Sequence, residues 1–201
     1  MLAHIKGTLE MKTQDYVVID VGGLGYKVYM SASGMDQLGE IGKIVKVYTY
    51  YRVREDDISI YGFNTFEQLR MFELLLSVSG VGAKTALTMV AVTEPSEFAI
   101  AIISDDVTYL TQIPGIGAKS AQRIILELKD KMKKENAIVK TKDLNVKVAV
   151  MDNTKVEEAI SALQVLGYNK KEIEKAFMKI DKKDLSTEEL IKKGLSILGN
   201  R

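Results

Sequence analysis

The chain has 201 residues, 46% of them hydrophobic, with 28 basic and 27 acidic side chains and a formal net charge of +1. That length and apolar content suffice for more than one folded domain, while the near-neutral charge advertises no acidic partner. Cysteine is absent and His4 is the single histidine, which excludes disulfides, thiolate metal sites and a histidine-based zinc site or triad.

The first residues, "MLAHIKGTLE", lack the charged start and long apolar stretch of a secretory signal, and the apolar runs further on are far shorter than a bilayer span. A cytoplasmic protein without a membrane role is the expectation. Residues 1–63 read as β. In "DYVVIDVGGLGYKVYMS", Val17, Ile19 and Val21 alternate, the pattern breaks at Gly22-Gly23-Leu24-Gly25, and it resumes with Tyr26, Val28 and Met30. "KIVKVYTYYRV" places Val45, Val47, Thr49, Tyr51 and Val53 on one face and Ile44, Lys46, Tyr48, Tyr50 and Arg52 on the other. Acids Glu55, Asp56 and Asp57 then separate it from a short strand through Ile58 and Ile60. Short strands, glycine turns and no helical period predict a small closed barrel, since closure removes sheet edges.

The period switches near Asn64. "FEQLRMFELLLSV" puts Phe66, Leu69, Phe72 and Leu76 at helical spacing, and helices are predicted through residue 135. An internal repeat lies here: "SGVGAKTA" from Ser79 returns as "PGIGAKSA" from Pro114, 35 residues later. Two copies are too few to cap a solenoid, so a two-fold duplicated unit is the simpler reading. Residues 136–153 are polar and charged in their first half and read as a linker, with a strand at 146–150 left open. Residues 154–201 predict three helices, one ending at Gly167 and another opening with a capping box of Ser186 and Glu189.

The repeated glycine–lysine element is not a nucleotide-binding P-loop. Each lysine follows an alanine, no glycine sits five residues before Gly82 or Gly117, and the preceding segment is helical rather than a strand. Two short helices joined by "GVG" or "GIG" instead form a helix–hairpin–helix. Its glycines let backbone approach a ligand, and the next helix begins at once, aiming free amides and a positive dipole end at one phosphate. The candidate phosphate-binding residues are Gly80, Gly82, Lys84 and Thr85 in one copy and Gly115, Gly117, Lys119 and Ser120 in the other. Arg123, one turn past Lys119, extends the second patch, and Ala83, Ala86, Ala118 and Ala121 suit close helix packing. A glycine turn between packed helices with no ligand is the bland alternative for one copy. Two matching copies favour phosphate binding without base readout.

With barrel, hairpins and tail in this order, the whole chain resembles the RuvA family of bacterial Holliday-junction-binding proteins. The resemblance rests on "VGGLGYKVYM", "VREDDISIYGF", "SGVGAKTA", "IPGIGAKSAQRIILELKDK" and "ALQVLGY". It implies an α+β multidomain chain: an OB-type barrel over 1–63, a middle all-α domain with two helix–hairpin–helix motifs over 64–135, a flexible linker, and a three-helix, UBA-like domain over 154–201. It further implies a homotetramer or octamer that holds four-way junction DNA open and square. The tail docks the hexameric ATPase RuvB, and the open junction face is available to the resolvase RuvC. No cofactor is implied, and the chain itself catalyses nothing.

The resemblance also gives the acids a role. Glu55 and Asp56 match the family's acidic pin, aimed at the crossover, while Asp57 has no counterpart in that pattern; Arg52 and Arg54 flank them, Arg54 as a candidate DNA contact. A solvated hairpin turn is the plain reading of the same residues. Tyr48, Tyr50 and Tyr51 suggest core or interface more than a base-stacking platform, and His4 reads as structural. Leu163, Leu166, Tyr168, Ile173 and Phe177 are expected to form the tail's core, with some of them exposed to a partner. A nuclease using Glu55, Asp56 and Asp57 as metal ligands is the rival class, but consecutive strand residues point alternately and make a poor cage. A pure scaffold without a DNA role is a third.

Overall fold

Glycine and β-branched residues build the first element pair in a predictable way. In the computed structural model, which describes residues 2–139, 153–182 and 185–199, strands β1 (His4–Lys12), β2 (Tyr16–Val21), β3 (Leu24–Tyr29), β4 (Ile44–Val53) and β5 (Ile58–Phe63) close into a barrel in the order β1-β2-β3-β5-β4. All neighbours are antiparallel except β3 and β5, which meet in parallel at Tyr29 and Tyr61. The β2–β3 turn is tighter than the sequence suggested. Gly22 and Gly23 alone make it, at φ of 66° and 89°, and the strand resumes at Leu24. Two successive positive φ values define the turn that suits a twisted hairpin, and the Asp20 carboxylate accepts the Gly23 amide to hold it.

Closure depends on β1. Its first half pairs with β4 and its second half with β2, so the strand bends through Gly7 and Thr8. A Cβ at Gly7 would sit 2.0 Å from the Asp20 carbonyl oxygen, so only glycine permits the close crossing. Ile5, Leu9, Val17, Ile19, Val28, Val45 and Val47 fill the interior. The expected inner face of β4 ends at Thr49. Tyr51 and Val53 are exposed, because β4 and β5 run past the barrel wall as a two-stranded ribbon with no second layer among the described residues to cover it.

One element escaped the β reading of the first segment: helix α1 (Ala32–Gln37), capped by the Ser31 hydroxyl, which accepts from the Gly34 amide. Six residues are too few to display a helical period. Asn64 ties this helix to the start of the helical region, its side-chain amide donating to the Gly34 carbonyl at 3.0 Å and to Gln37 at 2.9 Å.

Helices α2 (Phe66–Leu76), α3 (Ala83–Val92), α4 (Pro95–Ile103), α5 (Val107–Thr111) and α6 (Ala118–Val139) follow. Helix α6 continues into the first residues of the segment read as a linker, and the 146–150 stretch lies outside the described residues. By packing, the chain divides into two compact units, Met1–Leu76 with Gly82–Val92, and Ser77–Val81 with Thr93–Arg201.

The tail holds α7 (Asn153–Val165), α8 (Lys170–Phe177) and α9 (Thr187–Leu198). Gly167, at φ 80°, lets the Tyr168 amide reach back to the Leu163 carbonyl, the reversed turn expected at a helix end. The Ser186–Glu189 capping box opens α9, and a second box of Asn169 and Glu172, not anticipated from the sequence, opens α8. Leu163, Leu166, Tyr168, Ile173 and Phe177 are all buried, which corrects the expectation that some face a partner. With three short helices around one small core, none of these side chains can be spared from it. Among the described residues no single helix is long and apolar enough to cross a membrane.

Candidate nucleic-acid interface

The duplication in sequence is a duplication in hydrogen bonding. In the first hairpin the Val81 amide donates to the Val78 carbonyl at 3.1 Å, and the Ala86 amide donates to the Gly82 carbonyl at 2.9 Å. In the second, Ile116 donates to Ile113 at 3.1 Å and Ala121 to Gly117 at 2.9 Å. Buried Val78 and Ile113 anchor the two loops from below. The first glycine of each pair carries the strained turn, Gly80 at φ 82° and Gly115 at φ 85°. The second glycine, Gly82 or Gly117, has an ordinary φ and caps the following helix.

Helix geometry leaves the first-turn amides after each cap without an acceptor four residues back, so they point out of the hairpin with the positive end of the dipole behind them. The surroundings are open. Gly80, Gly82, Gly115 and Gly117 are exposed, and a Cβ built at Gly82, Gly115 or Gly117 meets no atom within 4 Å. Lys84, Lys119 and Ser120 are exposed and Thr85 is half-buried. Ala83, Ala86 and Ala121 pack inward, whereas Ala118 is exposed at the second helix start, contrary to the packing role expected of it.

Helix α6 places Arg123 differently from a simple extension of the second patch. Its guanidinium donates to the Ser79 carbonyl at 3.4 Å and lies beside Gly80 of the first loop. One turn on, the Glu127 carboxylate accepts the Ser79 amide at 3.0 Å, and after another turn the Lys131 ammonium reaches the Ser77 carbonyl at 3.4 Å. Three side chains at a spacing of four thus brace the loop from one helix face. Glu127 and Lys131 went unnoticed in the sequence. Their spacing from Arg123 was the available signal, but nothing local says what that face meets.

The acidic hairpin forms the far end of the β4–β5 ribbon. Val53 pairs with Ile58, and the Arg54 amide donates to the Asp57 carbonyl at 2.8 Å to close the turn. Arg54, Glu55 and Asp56 are exposed at the tip. Asp57 is exposed with them, but its carboxylate also accepts the hydroxyl of Ser59, a buried side chain on β5 next to the last ribbon pair. Tyr50, Tyr61 and Phe63 pack on Phe72 of α2, and Tyr48 packs on Phe66, so the outward aromatics of β4 and β5 seat a helix. Among the described residues no group of three His, Cys, Asp or Glu side chains is arranged to hold a metal ion.

A barrel of OB-like topology followed by tandem helix–hairpin–helix elements is the architecture of a DNA-binding protein. Family comparison agrees with each part. Residues 1–62 match the family described as RuvA N terminal domain, residues 72–130 match the SAM-like helix-hairpin-helix tandem, and residues 154–199 match RuvA, C-terminal domain. The chain is 49% identical over 196 residues to the Holliday junction branch migration complex subunit RuvA of Acetivibrio thermocellus, covering 97% of each chain. It is 46% identical over 201 residues to the protein of that name from Ruminiclostridium cellulolyticum, covering 98% of this chain and all of the relative. To that of Clostridium perfringens it is 42% identical over 202 residues, covering 98% and 99%. The chain belongs to the RuvA family.

Proposed function

We propose that this chain is the Holliday-junction-binding subunit of a branch migration complex and performs no catalysis itself. The observation that supports this reading best is the one hydrogen-bond pattern repeated at two exposed helix starts, each beside a lysine. Gly80, Gly82, Lys84 and Thr85 take one phosphate, and Gly115, Gly117, Lys119 and Ser120 take another. Arg123 braces the first loop and lends it positive charge. None of these groups reads a base, so the grip is independent of sequence.

Specificity for a junction comes from the tip. Glu55 and Asp56 repel phosphates that approach within a Debye length, about 8 Å at physiological salt, which disfavours a duplex running straight through. Arg54 holds backbone beside the crossover. In this reading residues 1–63 assemble the subunit four-fold, 64–135 grip the arms, and 154–201, tethered through 136–153, recruit the RuvB ATPase, which supplies the hydrolysis. One or two tetramers cover the junction, and an uncovered face admits RuvC. No cofactor is required, and the work is done in the cytoplasm.

The test is binding of a four-way junction and of a linear duplex of equal length across a salt series. Junction is expected to bind more tightly. Reversing charge at Lys84 and Lys119 together should weaken binding to every sequence and flatten the log–log salt slope by about 0.9 for each phosphate no longer neutralised. Equal affinity for the two DNAs, or an unaltered slope in the double variant, removes the proposal.

A further inference from the structure

Three acids stand in a row at the ribbon's end, but they are not equivalent. The Asp57 carbonyl closes the turn by accepting the Arg54 amide at 2.8 Å, and its carboxylate folds back to accept the hydroxyl of Ser59. Ser59 is only 5% exposed, a buried polar group on a strand whose neighbours Ile58 and Ile60 are apolar. Without Asp57 its hydroxyl loses this partner. The Lys27 ammonium is held 4.3 Å from the Tyr16 ring centre and 4.9 Å from that of Tyr29, and the Tyr29 hydroxyl first, with smaller contributions down to the Asp57 charge, holds its pKa above the usual lysine value. The third acid, though exposed, is therefore tied to a hydroxyl of the adjoining strand β5.

We infer that Asp57 is the positioning residue of the acidic hairpin: exposed like its neighbours, it locks the turn to strand β5 through Ser59 and so fixes the backbone that presents Glu55 and Asp56. The inference rests on the proposed role of those two acids, and the physical case for it is simple. A two-stranded ribbon without a covering layer is marginal by itself. Its stem residues Val53 and Ile58 are exposed, so packing does little to hold the tip in one direction. Carboxylates repel a phosphate at a defined place only if their backbone is fixed, and the Asp57–Ser59 bond adds a side-chain tether to the backbone bond between Arg54 and Asp57.

Four variants decide the matter: Asp57→Asn, Asp57→Ala, Ser59→Ala and the double Asp57→Ala/Ser59→Ala. Each is tested as the full chain for its ratio of junction to duplex affinity and for amide hydrogen exchange over residues 54–58. Asn keeps an acceptor for Ser59 and loses the charge. Positioning predicts that Asp57→Asn keeps the wild-type ratio and exchange. Asp57→Ala and Ser59→Ala each speed exchange about five-fold, as loss of one ordinary hydrogen bond would, and each lowers the ratio. The double variant should do no worse than either single one. If Asp57→Asn behaves like Asp57→Ala, the third charge acts at the tip and the inference is overturned; independent, additive effects of Asp57 and Ser59 overturn it equally. Should Glu55→Gln with Asp56→Asn leave the affinity ratio untouched, the tip's proposed role falls, and the exchange pattern alone then upholds or overturns the tether.

Discussion

The two glycines of each hairpin make opposite demands, and alanine separates them. Gly80 and Gly115 sit at φ 82° and 85°, where a Cβ clashes with the adjacent backbone; alanine there costs about 1–2 kcal/mol of stability per site. At Gly82 and Gly117 the φ is ordinary and a built Cβ meets nothing within 4 Å. The fold does not need glycine at these caps, and alanine there costs about 0.5–1 kcal/mol as a poorer cap. In the proposed grip, a phosphate approaching the first-turn amides does need it, because a methyl group would stand in its approach. Losing one charge-assisted hydrogen bond at each hairpin removes about 1.5–3 kcal/mol per site from binding, or roughly 10- to 150-fold. The assay is a thermal melt beside a DNA titration at fixed salt. Gly82→Ala/Gly117→Ala should melt within a few degrees of wild type and bind duplex at least ten-fold more weakly. Gly80→Ala/Gly115→Ala should melt markedly lower. A Gly82→Ala/Gly117→Ala protein that binds with unchanged affinity would refute the claim that those caps admit a phosphate.

Two further outcomes test the fold. Gly7→Ala drives a Cβ to 2.0 Å from the Asp20 carbonyl oxygen, backbone against backbone, so no rotamer relieves it. A cost of about 3 kcal/mol is expected, the top of the usual overpacking range, seen as a lower denaturant midpoint; an unchanged midpoint would mean β1 does not cross there. Tyr109 donates its hydroxyl to Glu97 at 2.8 Å, and burial first, then that bond, push its pKa up to about 12. Its contribution to stability is whole below the ordinary phenol value near 10 and is lost as the pH climbs from there through about 12. An ultraviolet phenolate titration should show a late phase that shrinks in Tyr109→Phe and moves earlier in Glu97→Gln; a late phase unchanged in Tyr109→Phe assigns it elsewhere.

What the sequence determined alone was everything governed by neighbours in the chain. A glycine pair before a helix start specifies its own turn and cap, so both hairpin turns were legible, as were Gly167 and the Ser186–Glu189 cap, whereas Ala118 and Arg123 beside them were misread. The alternation of β2 and the first half of β4 marked an inner face for the same reason: period two is a local property. Only the tertiary structure decided where those faces end. Thr49 is buried and Val53 exposed with nothing in the alternation to distinguish them, because the difference is whether another layer lies across the strand. It also decided that Arg123, Glu127 and Lys131 brace a loop more than forty positions earlier. Such choices depend on which distant segments meet, and closing a chain over that distance is settled by burial and steric fit across the whole domain, not by the pattern of any one stretch.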